Sequence, residues 1–159
     1  MSFKNTSAIH SAGNRRTGER GQALIETAIT LSMLVIMLLG AVEVGRIAWA
    51  TIQVTEAARA AVQYGDQDRA AASDTGGIQN AGHAAAPDIT NLTILPTTSC
   101  TCGNGSASTC ANTDCSGSFI EVVLTVNTSA TFDPLIHLPG LPTTYTLQGH
   151  AVQKVLSND

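Results

Sequence analysis

The chain has 159 residues, of which 43% are hydrophobic, 13% charged and 4% aromatic, with a net charge of −4. That is room for one domain, or for a small domain with an appendage, and the charged share is about half that of an ordinary globular domain. Low charge with high apolar content excludes a disordered acidic chain; net acidity argues against a nucleic-acid binder; and the apolar residues do not form the several long runs of a multi-pass membrane protein.

The charge is segregated along the chain. Residues 1–21 carry Lys4, Arg15, Arg16 and Arg20 against Glu19, for +3. Residues 22–159 carry Arg46, Arg59, Arg69 and Lys154 against eleven acids, for −7. Between Glu26 and Glu43 there is no charge. The order is a basic head, an apolar stretch and an acidic body, read as three parts: 1–21, 22–64 and 65–159.

The uncharged stretch, 27–42, is rich in Leu, Ile, Val and Met. Counted from Ala23, the run to Val42 is roughly 30 Å of helix, the thickness of a bilayer core. A membrane helix is the expected form, with the basic flank left in the cytoplasm and the acidic body exported. A secretory signal cut near Ala48-Trp49-Ala50 is the competing form, but Glu43 and Arg46 lie between the apolar core and that site. A buried helix of a soluble protein is the third, and no other segment is apolar enough to surround it. No Pro occurs before Pro87, and an apolar stripe continues through Val44, Ile47, Ala48, Ile52, Thr55, Ala58, Ala61 and Val62. The helix is therefore expected to run on to about Tyr64 as an amphipathic spine, its stripe covered by the following domain. Gly40 and Gly45 each cost about 1 kcal/mol against Ala and are tolerable where helices pack closely.

Glu26 breaks the apolar pattern. A carboxylate at membrane depth costs about 2.5–3.5 kcal/mol. It either reaches shallow headgroups while favouring the helix dipole, or it finds a cation. Glu43 and Arg46, three apart on one face, form either a local ion pair worth a few tenths of a kcal/mol or a contact between subunits.

The residues Gly21, Gln22-Ala23-Leu24, Glu26, the Leu-rich run, Glu43-Val44-Gly45-Arg46 and the Ala-rich 56–62 together resemble the TadE-like family over about residues 20–65. These are pseudopilins of the tight-adherence (Tad, type IVc pilus) machinery. Thr27 departs from the aromatic or bulky apolar residue usual there. The resemblance implies that a prepilin peptidase cuts between Gly21 and Gln22, so that Glu26 becomes the fifth residue of the mature chain. It implies that Glu26 pairs with the free N-terminal amine of an adjacent subunit during assembly. The implied partners are other pilin or pseudopilin subunits, the prepilin peptidase, the inner-membrane assembly platform and the membrane, with no nucleic acid. The implied place is a bacterial inner membrane, N-terminus cytoplasmic and C-terminal domain periplasmic or extracellular, with assembly into a surface pilus.

In the exported body a helix is predicted over 75–86, capped by Asp74 and stopped near Pro87. Strands are predicted at 91–95, 119–127 and 145–156. Ile120, Val122, Leu124 and Val126 share one face of the second; Tyr145, Leu147, Ala151 and Val155 share one face of the third. The segment between them is expected to pack Phe132, Leu135 and Leu138. The fold class is α+β: a long helix covered by a small three-stranded antiparallel sheet, like a type IV pilin. So small a core needs help, and the four cysteines of the 100–115 loop, spaced C-x-C-x7-C-x4-C, are the candidates. In an exported domain they are expected as two disulfides; in the cytosol a four-thiolate zinc site would compete, though the spacing lacks C-x2-C knuckles. Cys100 and Cys102 are poorly placed to join each other. That leaves Cys100–Cys110 with Cys102–Cys115, or Cys100–Cys115 with Cys102–Cys110.

No G-x-S-x-G, H-E-x-x-H or phosphate loop occurs. His10, His83, His137 and His150 are scattered, and Gly76-Gly77 reads as a turn. No enzyme, cofactor or metal is expected. The leading functional expectation is a minor pseudopilin, anchored by its helix and acting in pilus biogenesis and adhesion. The alternative is an uncleaved single-pass protein whose exported domain binds a partner or surface.

Overall fold

The computed structural model describes residues 16–111, 113–137, 140 and 142–155, with side chains described from Gly21 onward. Most of the expected leader, together with Leu138, Pro139 and Leu156, lies outside the described residues. Among the described residues the elements are, in order, α1 Arg16–Gly65, α2 Arg69–Ser73, α3 Thr75–Ala85, β1 Thr93–Cys102, β2 Ala107–Ser108, β3 Ile120–Phe132 and β4 Tyr145–Val155. The chain divides into two compact units, Met1–Ala41 and Val42–Asp159.

The first unit contributes the apolar part of α1. Among the described residues this is the one helix long and apolar enough to cross a membrane, and its most apolar stretch is not buried against the protein. Leu24, Ile36 and Leu38 stand free of the chain. Such a helix is stable in lipid because every backbone group is bonded within it. Its hydroxyls are satisfied the same way. Thr27, Thr30 and Ser32 each donate to the carbonyl four residues back, on Ala23, Glu26 and Ala28, at 2.8 Å.

In the second unit α1 continues to Gly65. Asp68 then caps the short α2 by accepting from the Ala71 amide at 2.7 Å, and Asp74 caps α3 by accepting from the Gly77 amide at 3.0 Å. The cap of α3 is where the sequence puts it, and the helix ends before Pro87, which disfavours helical geometry in the residue ahead of it. Tyr64 Oη donates to the same Asp74 carboxylate at 2.8 Å. The glycine pair belongs to the first turn of α3, not to a separate turn. At Gly77 a Cβ would fall 2.3 Å from the Tyr64 hydroxyl, so only glycine fits that approach.

The sheet is antiparallel with order β2-β1-β3-β4. β1 pairs with β3 from Thr93↔Ser129 to Cys102↔Ile120, and β3 with β4 from Val122↔Val155 to Phe132↔Tyr145. Among the described residues there are four strands rather than the three expected. The extra one is β2, which pairs only Ser108 and Ala107 with Cys100 and Thr101. β1 also runs on through Pro96, beyond the predicted end at residue 95. At Pro96 β1 has no neighbour on its outer side, and an edge tolerates the missing N–H.

The core lies between α1 and the sheet. Val54, Ala57, Ala58 and Ala61 of α1 are wholly buried, as are Leu124 and Val126 of β3, with Ile78 of α3 beside them. The stripe on α1 is partly the one expected: Ala58, Ala61 and Val62 are buried and Ile47 packs against the core, while its N-terminal part departs. Val44 and Ile52 are 68% and 55% exposed, and the buried seam instead runs through Ala50, Gln53, Val54, Ala57, Ala58, Ala61 and Val62. Small side chains decide the phase, because they let strands come close to the helix backbone. Gly149 of β4 sits so near that a Cβ would be 2.6 Å from the Val54 carbonyl. Thr128 of β3 donates its buried hydroxyl to that carbonyl at 2.7 Å. Phe132 is buried at the end of β3, but Leu135 is 70% exposed, contrary to expectation; its backbone, rather than its side chain, is what the fold holds. Ala50, the last residue of the supposed signal-cleavage site, is a buried core residue inside α1.

Two disulfides close the far end of the sheet, Cys100–Cys110 and Cys102–Cys115, with Cα separations of 5.2 and 5.5 Å. Loops of this length are expected to give about 2–3 kcal/mol per bridge. Cys110 adopts a left-handed backbone conformation, φ 73°.

Candidate assembly sites on the long helix

At the start of the apolar run, Gly21, Gln22 and Glu26 lie in α1 and are exposed. A Cβ at Gly21 would meet nothing within 4 Å, so its glycine is not required by packing. Glu26 has no side-chain hydrogen bond or ion pair among the described residues; only its backbone carbonyl is engaged, by Thr30. Every hydroxyl around it is satisfied internally, and the one charged group is not. A carboxylate in that setting gains from any cation brought to it.

At the end of the run the arrangement is the opposite. Arg46 Nη1 donates to Glu43 Oε2 at 3.2 Å. The Leu135 amide donates to Glu43 Oε1 at 3.1 Å. The Arg46 guanidinium carbon stands 5.1 Å from the centre of the Phe132 ring. The Glu43 side chain is only 14% exposed and that of Arg46 39%. The pair is thus a local i,i+3 contact with two further partners, Phe132 at the end of β3 and the Leu135 amide just after it. It fastens that segment to the helix just beyond the apolar run. Phe132 and the Leu135 amide were invisible to sequence spacing, because they lie about ninety residues away in the chain.

Gly21, Gln22, Glu26, Glu43 and Arg46 all fall within 21–63, and those residues match the family model described as TadE-like protein. The chain carries a TadE-like segment. No curated protein and no solved structure matches the chain. The TadE-like segment covers the apolar run and all of the buried seam of α1, and ends two residues before α1 does. The sheet and its cysteine loop lie outside it. With the apolar helix, the segment fits a membrane-anchored protein related to the Tad pilus.

The cysteine loop is organised around Asp114. Its carboxylate accepts from the Thr109 amide at 2.6 Å, the Thr109 hydroxyl at 2.7 Å and the Ser108 hydroxyl at 3.1 Å. The hydroxyl and amide of Thr109 hold the Asp114 carboxyl below its ordinary value, because they bond its charged form. Arg69 of α2 donates to the Cys110 carbonyl at 3.0 Å, tying the loop to the helical layer. All four cysteines are in disulfides, and among the described residues no group of three His, Cys, Asp or Glu converges on a metal position.

Proposed function

We propose that this protein is a non-enzymatic minor pseudopilin of a Tad (type IVc) pilus, held in the bacterial inner membrane by α1 and drawn from there into pilus assembly and surface adhesion. In this reading a prepilin peptidase removes residues 1–21. The new amine at Gln22 then pairs with Glu26 of a neighbouring subunit, the N-terminus having faced the cytoplasm and the sheet unit the periplasm or the exterior. The single observation that carries the reading is the exposed, unpartnered Glu26 carboxylate, five residues beyond Gly21 in the TadE-like segment. Mass spectrometry of the protein recovered from its native membrane should give Gln22 as the first residue; an intact leader would overturn the reading. Glu26→Ala should insert normally yet assemble poorly, and wild-type piliation in that variant would rule out the assembly role.

A second reading, an uncleaved single-pass protein whose exported unit binds a partner or surface, is favoured by one observation. α1 begins at Arg16 and passes through Gly21 without interruption, whereas a peptidase needs extended backbone at its cut. The same N-terminal mapping separates the two.

A further inference from the structure

Strand β3 descends along α1 toward the end of the apolar run. Thr128 donates to the Val54 carbonyl, Phe132 lies under the Arg46 guanidinium, and the Leu135 amide donates to Glu43. As the residue number rises through β3 it falls along α1. The last of these contacts is one residue past Val42, where the uncharged run ends. The segment leading from β3 to β4 therefore starts at the level where α1, read as a membrane helix, leaves the bilayer.

What that segment carries is apolar. Residues 134–142, PLIHLPGLP, contain no Asp, Glu, Lys or Arg. Pro134 is buried, yet Leu135 and Ile136 are exposed side by side. The other exposed apolar side chains of the sheet, Leu95 and Val152, stand singly and face polar partners across the ladder, Asn127 and Thr125. A single exposed apolar residue is ordinary on a surface; two in succession within an uncharged segment mark a contact.

The charges nearby suit a membrane boundary. Glu43 is largely covered and accepts from Arg46 and from the Leu135 amide, so it brings no bare charge there. Arg46 lies four residues past Val42, roughly 6 Å along the helix, and a headgroup zone is about 5–8 Å deep. Its guanidinium, still partly exposed, is placed for lipid phosphates. Asp133 is an exposed carboxylate two residues before Leu135, and a carboxylate stays out of hydrocarbon. Irregular backbone stays out as well, so the segment goes no deeper than the boundary between headgroups and acyl chains. Lipid is the occupant this alignment selects, because the patch continues the apolar run sideways at the point where the run ends. We propose that the segment after β3 is a second membrane contact, in which Leu135 and Ile136 enter the headgroup–acyl boundary beside the exit of α1 with Arg46 at the phosphates. The inference rests on α1 being a membrane helix, and it is indifferent to whether the leader is cut.

Trp49 is the only tryptophan of the chain, so a Trp49→Phe background leaves room for one indole at a chosen place. Leu135→Trp, Leu34→Trp and Val152→Trp would each be made in it, with circular dichroism confirming the fold. The full-length proteins would be reconstituted into vesicles of phosphatidylcholine and phosphatidylglycerol that carry a nitroxide either near the headgroup or at mid-chain. The indole of Leu135→Trp should lose more emission to the shallow nitroxide than to the deep one and should be shielded from aqueous iodide. That of Leu34→Trp, near the middle of the uncharged run, should lose more to the deep one. That of Val152→Trp, opposite Thr125 and so farther from the run than Thr128, should respond to neither. Quenching at Leu34→Trp without quenching at Leu135→Trp would overturn the proposal and leave the membrane helix standing. Quenching at neither would overturn the membrane reading and the proposal with it. Equal shallow quenching at Leu135→Trp and Val152→Trp would overturn it by showing that an indole finds the surface unaided. Emission of Leu135→Trp that follows the protein-to-lipid ratio and not the nitroxide would also overturn it, by making a second copy the occupant.

Discussion

Two glutamates on the same helix sit in opposite surroundings. Glu26 is exposed beside satisfied hydroxyls, while Glu43 accepts from Arg46 and from the Leu135 amide and is largely covered. Hydrogen bonds to a charged group contribute more than neutral ones, about 1.5–3 kcal/mol net when well shielded. Partial exposure of Arg46 lowers this, so Glu43→Gln should destabilise the sheet unit by about 1 kcal/mol. Chemical denaturation of the variant followed by circular dichroism gives the number. The role of the carboxylate at Asp114 has a pH signature. Its pKa in the fold lies below the ordinary value of 3.8. The contribution of Asp114 is therefore complete above that ordinary value and is lost as the pH falls through the lowered one. An NMR titration from about pH 6 to about pH 2 should leave the Thr109 amide signal in place until below the ordinary carboxylate range.

Among the elements, the predictions from pattern alone succeeded where a local cause suffices. Asp74 caps α3 as expected, because a cap needs only the amides of the next turn. The alternation in 119–127 marks the buried face of β3, where Val122, Leu124 and Val126 are in the core. The sequence did not show that β1 continues through Pro96, or that β2 exists. Both depend on which strand lies alongside, and that is a tertiary fact. The α1 seam was placed correctly at Ala58, Ala61 and Val62 and missed at Val44 and Ile52 for the same reason. Branched side chains at Val44 and Ile52 look like the core face, yet the small residues face the sheet because Gly149 and Thr128 must reach the Val54 carbonyl. Gly149→Ala should therefore cost about 1–3 kcal/mol by forcing β4 away from the helix. Thermal unfolding of the variant measures it, and an unchanged midpoint would show that the sheet can give way there.

For the whole molecule, the two units differ in what covers their apolar residues. The apolar run of the first is not buried by any of the described residues, and the second has a core of its own. Leu34→Lys with Met37→Lys places two charges in the run, each costing about 2.5–3.5 kcal/mol at mid-membrane. The double variant should leave the membrane fraction on alkaline extraction. Folding of the second unit does not use either side chain, so protein refolded in detergent should retain its near-ultraviolet spectrum.

The sequence by itself determined the α+β class, the apolar helix, its likeness to TadE-like proteins, and the position of Glu26, because length, charge order and local spacing are written linearly. It left two disulfide pairings open, and the structure has Cys100–Cys110 with Cys102–Cys115. It also held no trace of the Glu43–Leu135 contact or of the Thr128 bond to the Val54 carbonyl. Only the tertiary structure decided these, because each depends on groups far apart in the chain meeting within hydrogen-bond or bonding distance, and no local pattern encodes such a meeting.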